Sequence, residues 1–141
     1  MNIRQARPAD EGALQALMTA LWPDCEPETA AEALAEPRGA VFLAEEQGAA
    51  VGFMQCVLRR DYVEGASQSP TGYLEGAYVS PPWRRRGAAR ALAAACEDWA
   101  RARGCAEIGS DCELDNTLSP LFHAAAGFEE VNRVICFLKR L

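Results

Sequence analysis

The stretch YLEGAYVSPPWRRRGAARALAAACEDWARAR, residues 73–103, decides the reading of this chain. Tyr73, Leu74, Tyr78 and Val79 make its first part a strand. Ser80-Pro81-Pro82 ends that strand, because proline cannot donate to a sheet ladder. The chain then turns through Arg84-Arg85-Arg86-Gly87-Ala88-Ala89 into an Ala-rich helix. Along that helix Leu92, Cys96 and Trp99 fall on one face, and Glu97 and Arg101 stand one turn apart. A glycine-bearing turn that opens a helix is a ready anion site. The first N–H groups lack intrahelical partners, and the helix dipole favours negative charge there. Small Gly87 and Ala89 let phosphates approach the backbone.

Outward from this stretch, residues 2–7 read as a first strand ended by Pro8. Leu14, Leu17, Met18 and Leu21 then mark one apolar face of a helix that closes at Trp22-Pro23-Asp24. A short helix is expected from Pro27 to about Ala35. Residues 40–46 and 49–60 read as two strands of a hairpin turning at Gln47-Gly48. A polar loop, 61–72, leads into the central strand. Beyond Gly104, Ala106–Ser110 is a short strand, and a helix follows with Leu118, Leu121, Phe122 and Ala125 on one face. Val131–Leu138 is expected to form a final strand or pair. The order β-α-α-β-β-β-α-β-α-β makes the chain an α/β protein with a mostly antiparallel sheet.

At 141 residues the chain is read as one domain, residues 1–141, with a sizeable core. No apolar run reaches the ~20 residues of a membrane span, and Met1-Asn2-Ile3-Arg4-Gln5 has no signal-peptide character, so a cytoplasmic protein is expected. The six cysteines show no Cys-x-x-Cys spacing and the one histidine is far from any cysteine pair. They are read as thiols, and no metal site is expected. A net charge of −6 argues against nucleic acid or an anionic membrane as partner. An acidic body with one dense basic turn instead suits an anionic and a cationic small ligand.

The pattern Arg-x-x-Gly-x-Ala after a strand (Arg84, Gly87, Ala89) resembles the acyl-CoA loop of the GNAT N-acetyltransferases. The resemblance spans the chain and implies their fold, a mixed, mostly antiparallel sheet flanked by helices. Several separated strings are similar to the aminoglycoside 6′-N-acetyltransferases. They are Ala20-Leu21-Trp22-Pro23, Asp61-Tyr62-Val63-Glu64-Gly65, Tyr73-Leu74-Glu75-Gly76, Gly109-Ser110-Asp111, Asp115-Asn116-Thr117 and the run from His123 to Gly127-Phe128-Glu129-Glu130. This implies acetyl transfer from acetyl-CoA to the 6′-amine of an aminoglycoside, and because relatives of this kind are often dimers a homodimer is expected.

The residues make independent sense in that role. A polycationic substrate needs carboxylates. Glu75 lies mid-strand and, by the two-residue period, is expected on the face of Ala77 and Val79. It is a candidate base for the attacking amine. Asp111 follows a strand end and either orients the amine or is itself the base, although a turn aspartate would look the same. Trp22, Asp24, Tyr62 and Glu130 are further substrate candidates from loops and element ends, and each also has an ordinary reading as packing or solvated surface. The resemblance implies that a main-chain N–H at Tyr78 or Val79 polarises the thioester. It also implies that Arg84, Arg85, Arg86, Gly87, Ala88 and Ala89 hold the CoA pyrophosphate. Asn116 resembles a residue that touches the pantetheine arm, and helix capping explains it equally well. His123 occupies the position where many GNAT members place a tyrosine that protonates the thiolate, and it is assigned that role here. Phe137 stands where related enzymes often have a tyrosine, which speaks against an acid in the last segment. No cysteine is placed as an acyl-enzyme nucleophile, so direct transfer is expected. The alternatives are an acetyltransferase for another polyamine or a protein N-terminus, and a non-catalytic binding module.

Overall fold

The computed structural model describes residues 1–141. Strands β1 (Asn2–Gln5), β2 (Gly39–Glu46), β3 (Ala49–Arg59), β4 (Thr71–Val79) and β5 (Ile108–Gly109) form one sheet in that order. Neighbours from β1 to β4 run antiparallel, while β4 and β5 run parallel. The hairpin between β2 and β3 turns at Gln47 and Gly48, both at positive φ. Two successive positive φ values match the twist of the flanking strands, which is why glycine is useful there.

Each face of the sheet is covered by different helices. On one face α3 (Ala88–Ala102) packs Leu92, Ala93, Cys96 and Trp99 onto Ala40, Met54, Cys56 and Leu74. On the other, α1 (Glu11–Leu21) and α2 (Thr29–Ala35) cover Val41, Leu43 and Phe53 with Leu14, Leu17, Met18, Ala30 and Ala33. The two cores share no residue. Cys56, Cys96 and Cys105 are buried in the first of them as small hydrophobes. The last helix, α4 (Ser119–Ala125), is tied to α3 by Arg90, whose Nη2 donates to the Ala125 carbonyl at 2.9 Å.

Two expectations fail at the C-terminal end. No strand forms over residues 131–138, and Ile135, Phe137 and Leu138 are exposed. A strand must pair its N–H and C=O groups, and β5, with two residues, offers little edge to receive one. The face of α4 meant for the core is also largely uncovered. Leu118 and Leu121 lie in solvent, and only Phe122 reaches the α3-side core.

At the opposite end, β1 is fastened by charge. The Arg4 guanidinium donates to both carboxylate oxygens of Asp10 at 2.8 Å and to Glu45 at 2.6 Å. The Arg4 hydrogen bond, followed for Asp10 by the Arg7 N–H, holds both carboxyls below their usual range. Groups with folded pKa values below the unfolded ones add stability above about pH 4, and this is lost as pH falls through the folded values. Asp10→Asn should therefore lower the urea midpoint fully at pH 7, with the gap to wild type beginning to narrow below about pH 4 and shrinking further as the pH falls. A pH-independent gap would sink this account.

Candidate active site

The site is assembled where β4 leaves β5. β5 pairs with β4 only at Gly72 and Tyr73, so from Leu74 to Val79 one edge of β4 has no strand beside it. The chain then passes a 3₁₀ turn, Pro81–Trp83, into the basic loop. There Arg85 and Gly87 both take positive φ, at 62° and 85°. Left-handed residues among right-handed ones are the backbone geometry of anion-binding nests, and no side chain caps the α3 start. The space beside Gly87 is open, and Arg84, Arg85 and Arg86 are exposed. The three arginines are not equivalent. Arg84 folds back, its Nε donating to the Val79 carbonyl at 2.7 Å, and Arg86 lies 5.1 Å over the Trp83 ring. None of the three is in an ion pair, and Arg85 alone also makes no side-chain hydrogen bond or ring contact, so its side chain is the one left uncommitted.

Glu75 owes its position to a slip of register. Gly76 pairs with Gln55 and Leu74 with Cys56, so Glu75 is an extra residue in β4 with no partner of its own. Such a bulge breaks the two-residue alternation and re-aims a side chain. Tyr73, Gly76 and Tyr78 stand opposite Val57, Gln55 and Phe53, on the α1–α2 face. Leu74, Ala77 and Val79 stand opposite Cys56, Met54 and Gly52, on the α3 face. The expected sharing of a face by Glu75, Ala77 and Val79 is thus wrong, because simple alternation assumes an unbroken ladder. Glu75 instead lines a cleft of about 390 Å³ with Trp22, Thr29, Glu32, Ala33, Glu36, Gln55 and Val57.

Trp22 forms one wall of that cleft. Its ring packs edge-on against Phe53, with centroids 6.1 Å apart, and lies so close over Gly76 that any Cβ there would collide with it. The acidic residues Glu32 and Glu36 come from α2 and its end, Gln55 from β3. The Glu75 carboxylate accepts from Arg59 Nη2 at 2.9 Å.

Asp111, just beyond β5, accepts a hydrogen bond from the Tyr73 hydroxyl. Burial first, and the Asp111 carboxylate second, push the Tyr73 phenol up to about 12. Tyr73 in turn carries the Arg59 guanidinium, whose carbon is 3.5 Å from the ring centroid. One chain of contacts, Glu75–Arg59–Tyr73–Asp111, therefore joins the two carboxylates named from the sequence.

His123 bridges α4 and the end of β5. Its Nδ1 is 2.8 Å from the Ser119 carbonyl and its Nε2 2.7 Å from Ser110 Oγ. The carbonyl can only accept, so Nδ1 carries a proton, and in the neutral ring Nε2 accepts from Ser110. Phe122 and Phe128 meet the ring edge-on. Asn116 Oδ1 receives the N–H groups of Leu118 and Ser119 at 3.2 and 3.0 Å, so its oxygen caps the start of α4. Tyr62 and Glu130 lie apart from the cleft: Tyr62 donates to Glu64, and Glu130 pairs with Arg133. Asp24 forms no ion pair or side-chain hydrogen bond with the cleft walls. No group of three or more His, Cys, Asp or Glu side chains is gathered as metal ligands.

The model of the acetyltransferase (GNAT) family matches residues 10–128. The chain belongs to this family. Curated relatives of the acetyltransferase include the aminoglycoside N(6′)-acetyltransferase type 1 of Stenotrophomonas maltophilia, 46% identical over 96% of this chain and 91% of that protein. The protein of that name from Salmonella typhimurium is 40% identical over 99% of both. Among solved structures, AAC(6′)-Iy in complex with the bisubstrate analogue CoA-S-monomethyl-acetylneamine superimposes with a TM-score of 0.94. It is 38% identical, over 99% of this chain and 98% of that one.

Sequence reasoning missed four groups that shape the acetyltransferase cleft: Glu32, Glu36, Gln55 and Arg59. Glu32 and Glu36 are one turn apart on α2, and that spacing could have marked them as one charged face. Arg59 gave no signal, since its pairing depends on the strand register. The Trp22–Gly76 contact makes a clear expectation. Gly76→Ala should cost about 1–3 kcal/mol in denaturant stability through overpacking. Most of that cost should vanish in a Trp22→Leu background. An equal cost in both backgrounds would show that the ring is not what excludes the side chain.

Proposed function

We propose that this acetyltransferase transfers the acetyl group of acetyl-CoA to the 6′-amine of aminoglycoside antibiotics and so confers resistance, residues 1–141 acting as one unit in the cytoplasm. The observation that carries the reading is the cleft where Glu75, Glu32 and Glu36 face Trp22 beside the open β4 edge. Its carboxylates suit a polyamine, and its mouth adjoins the strand that leads to the uncapped α3 start. The full-length similarity to enzymes named for this activity supports the same substrate.

In this mechanism Arg85 and the N–H groups from Gly87 to Ala89 hold the CoA pyrophosphate, with Arg84 and Arg86 shaping the loop. The drug's ammonium, with an ordinary alkylamine pKa near 10.4, must lose its proton before attack. Glu75 accepts it, directly or through water, while Asp111 orients the amine through the network at Tyr73. The free amine attacks the thioester carbonyl in a ternary complex. The N–H of Tyr78 or Val79 stabilises the oxyanion as the C–S bond breaks. As the amide forms, the attacking nitrogen loses its second proton; His123, protonated on both ring nitrogens at this step, gives one to the departing thiolate by way of Ser110, and the proton from nitrogen restores it. Asn116 keeps its amide N–H₂ for the pantetheine arm, since its oxygen is used by α4. Trp22 lines the drug site, while Asp24, Tyr62 and Glu130, outside the cleft, meet only the part of a drug that extends beyond it.

Thiol release from acetyl-CoA with a kanamycin-like drug tests this directly. Glu75→Gln removes a charged hydrogen bond, which is ~1.5–3 kcal/mol, and should cut kcat/KM for the drug while sparing acetyl-CoA affinity. Ala89→Glu should do the reverse, raising the KM for acetyl-CoA in a folded protein. Release with simple polyamines but none with aminoglycosides would overturn the substrate assignment.

A homodimer belongs to the same reading. Val134, Ile135, Phe137 and Leu138 are exposed in one short segment, as are Leu118 and Leu121 at α4, and a second copy can cover such apolar side chains. Light scattering should return twice the chain mass of 15.3 kDa. A double Ile135→Ser, Phe137→Ser variant should shift the mass toward one chain, and a wild-type mass of one chain at micromolar concentration would exclude the dimer.

A further inference from the structure

Glu75, the carboxylate aimed into the acceptor cleft, is already engaged. Arg59 Nη2 donates to its Oε1 at 2.9 Å, and the two side chains are about equally accessible, at 32% and 33%. Arg59 sits at the end of β3, on the same side of the sheet as the cleft, and rests flat on Tyr73. Tyr73 itself donates to Asp111. Nothing else neutralises Glu75, which makes no other hydrogen bond or ion pair. Arg59 thus places a positive charge where a substrate ammonium would bind Glu75.

We propose that Arg59 is a specificity-determining residue that acts as a resident cation, occupying Glu75 in the free enzyme and yielding it to the substrate's ammonium. This rests on the aminoglycoside reading above. Three observations carry it. The Arg59–Glu75 pair is half-exposed, so its attraction is weak and exchange with an incoming cation is cheap. The guanidinium has a second support, the Tyr73 ring, so it keeps a partner after releasing the carboxylate. Glu75 stands on a bulge, free of a side-chain neighbour across the ladder that would fix its carboxylate elsewhere. A neutral ligand, or one lacking an amine at the reacting position, cannot match the cation it displaces. The exchange therefore rejects uncharged sugars of the same shape, at some cost in affinity for the true substrate.

Removing the competitor should tighten drug binding. Arg59→Met keeps much of the apolar stem and removes the charge. It should lower the aminoglycoside KM and the calorimetric dissociation constant about two- to five-fold, the range expected for a pair of this exposure. The KM for acetyl-CoA and the melting temperature should stay close to wild type. Arg59→Lys, which restores a cation, should return most of the wild-type KM. Arg60→Met is the control, because Arg60 is exposed and its side chain makes no contact with Glu75, yet its loss changes the net charge equally. The proposal is overturned if Arg59→Met raises or leaves unchanged the drug KM, or if Arg60→Met lowers it as much. A wild-type enzyme inactive toward aminoglycosides would instead fail the parent reading, before any variant is compared.

Discussion

A single extra residue in β4 sets the geometry of the whole site. With Ala77 and Val79 held on the face covered by α3, an unbroken ladder would carry the Glu75 carboxylate to that face too, toward Met54, Cys56, Leu92 and Cys96. An unpaired carboxylate there costs several kcal/mol, and the protein would pair it, neutralise it or fail to fold. The bulge lets Tyr73 and Glu75 share the α1–α2 face with Gly76 and Tyr78, where Trp22 lies against the backbone. The cleft wall and the cleft charge therefore follow from one backbone irregularity.

Charge is divided across that geometry. Glu32, Glu36 and Glu75 gather on one side of β4, while Arg85 stands free at the α3 start, beyond its end. A polycation and a polyanion can approach the same strand from different directions without meeting the wrong sign. The net charge of −6 is thus less informative than its arrangement, since the basic loop is a local exception on an acidic molecule.

The strand, turn and helix from Tyr73 to Arg103 were legible because local rules govern them: β-favouring residues, a proline stop, a glycine at positive φ and a four-residue apolar spacing. Glu75 was legible as a candidate carboxylate, but its direction was not, since a bulge is a property of two paired strands and only one was being read. Arg59 was invisible for the same reason. The segment 131–138 has the β-branched and aromatic residues of a strand, yet within one chain it finds no edge to pair with. The apolar stripe of α4, with Leu118 and Leu121 exposed, is not a core face at all.

The separation of the two cores has an evolutionary corollary. The acceptor wall is carried by α1, α2 and the segment between them, which rest on Leu43 and Phe53, whereas the start of α3 rests on Met54, Cys56 and Leu92. Adjacent residues of one strand point to opposite layers, so the packing route from Trp22 to the basic loop narrows to Tyr78, which rests on the α1–α2 core and carries Arg84 at 5.5 Å over its ring. Variation between Trp22 and Glu36 reshapes the cleft walls directly and reaches the start of α3 only through that ring. A lineage under shifting drug pressure can therefore explore acceptors one loop at a time without first rebuilding its acetyl donor site.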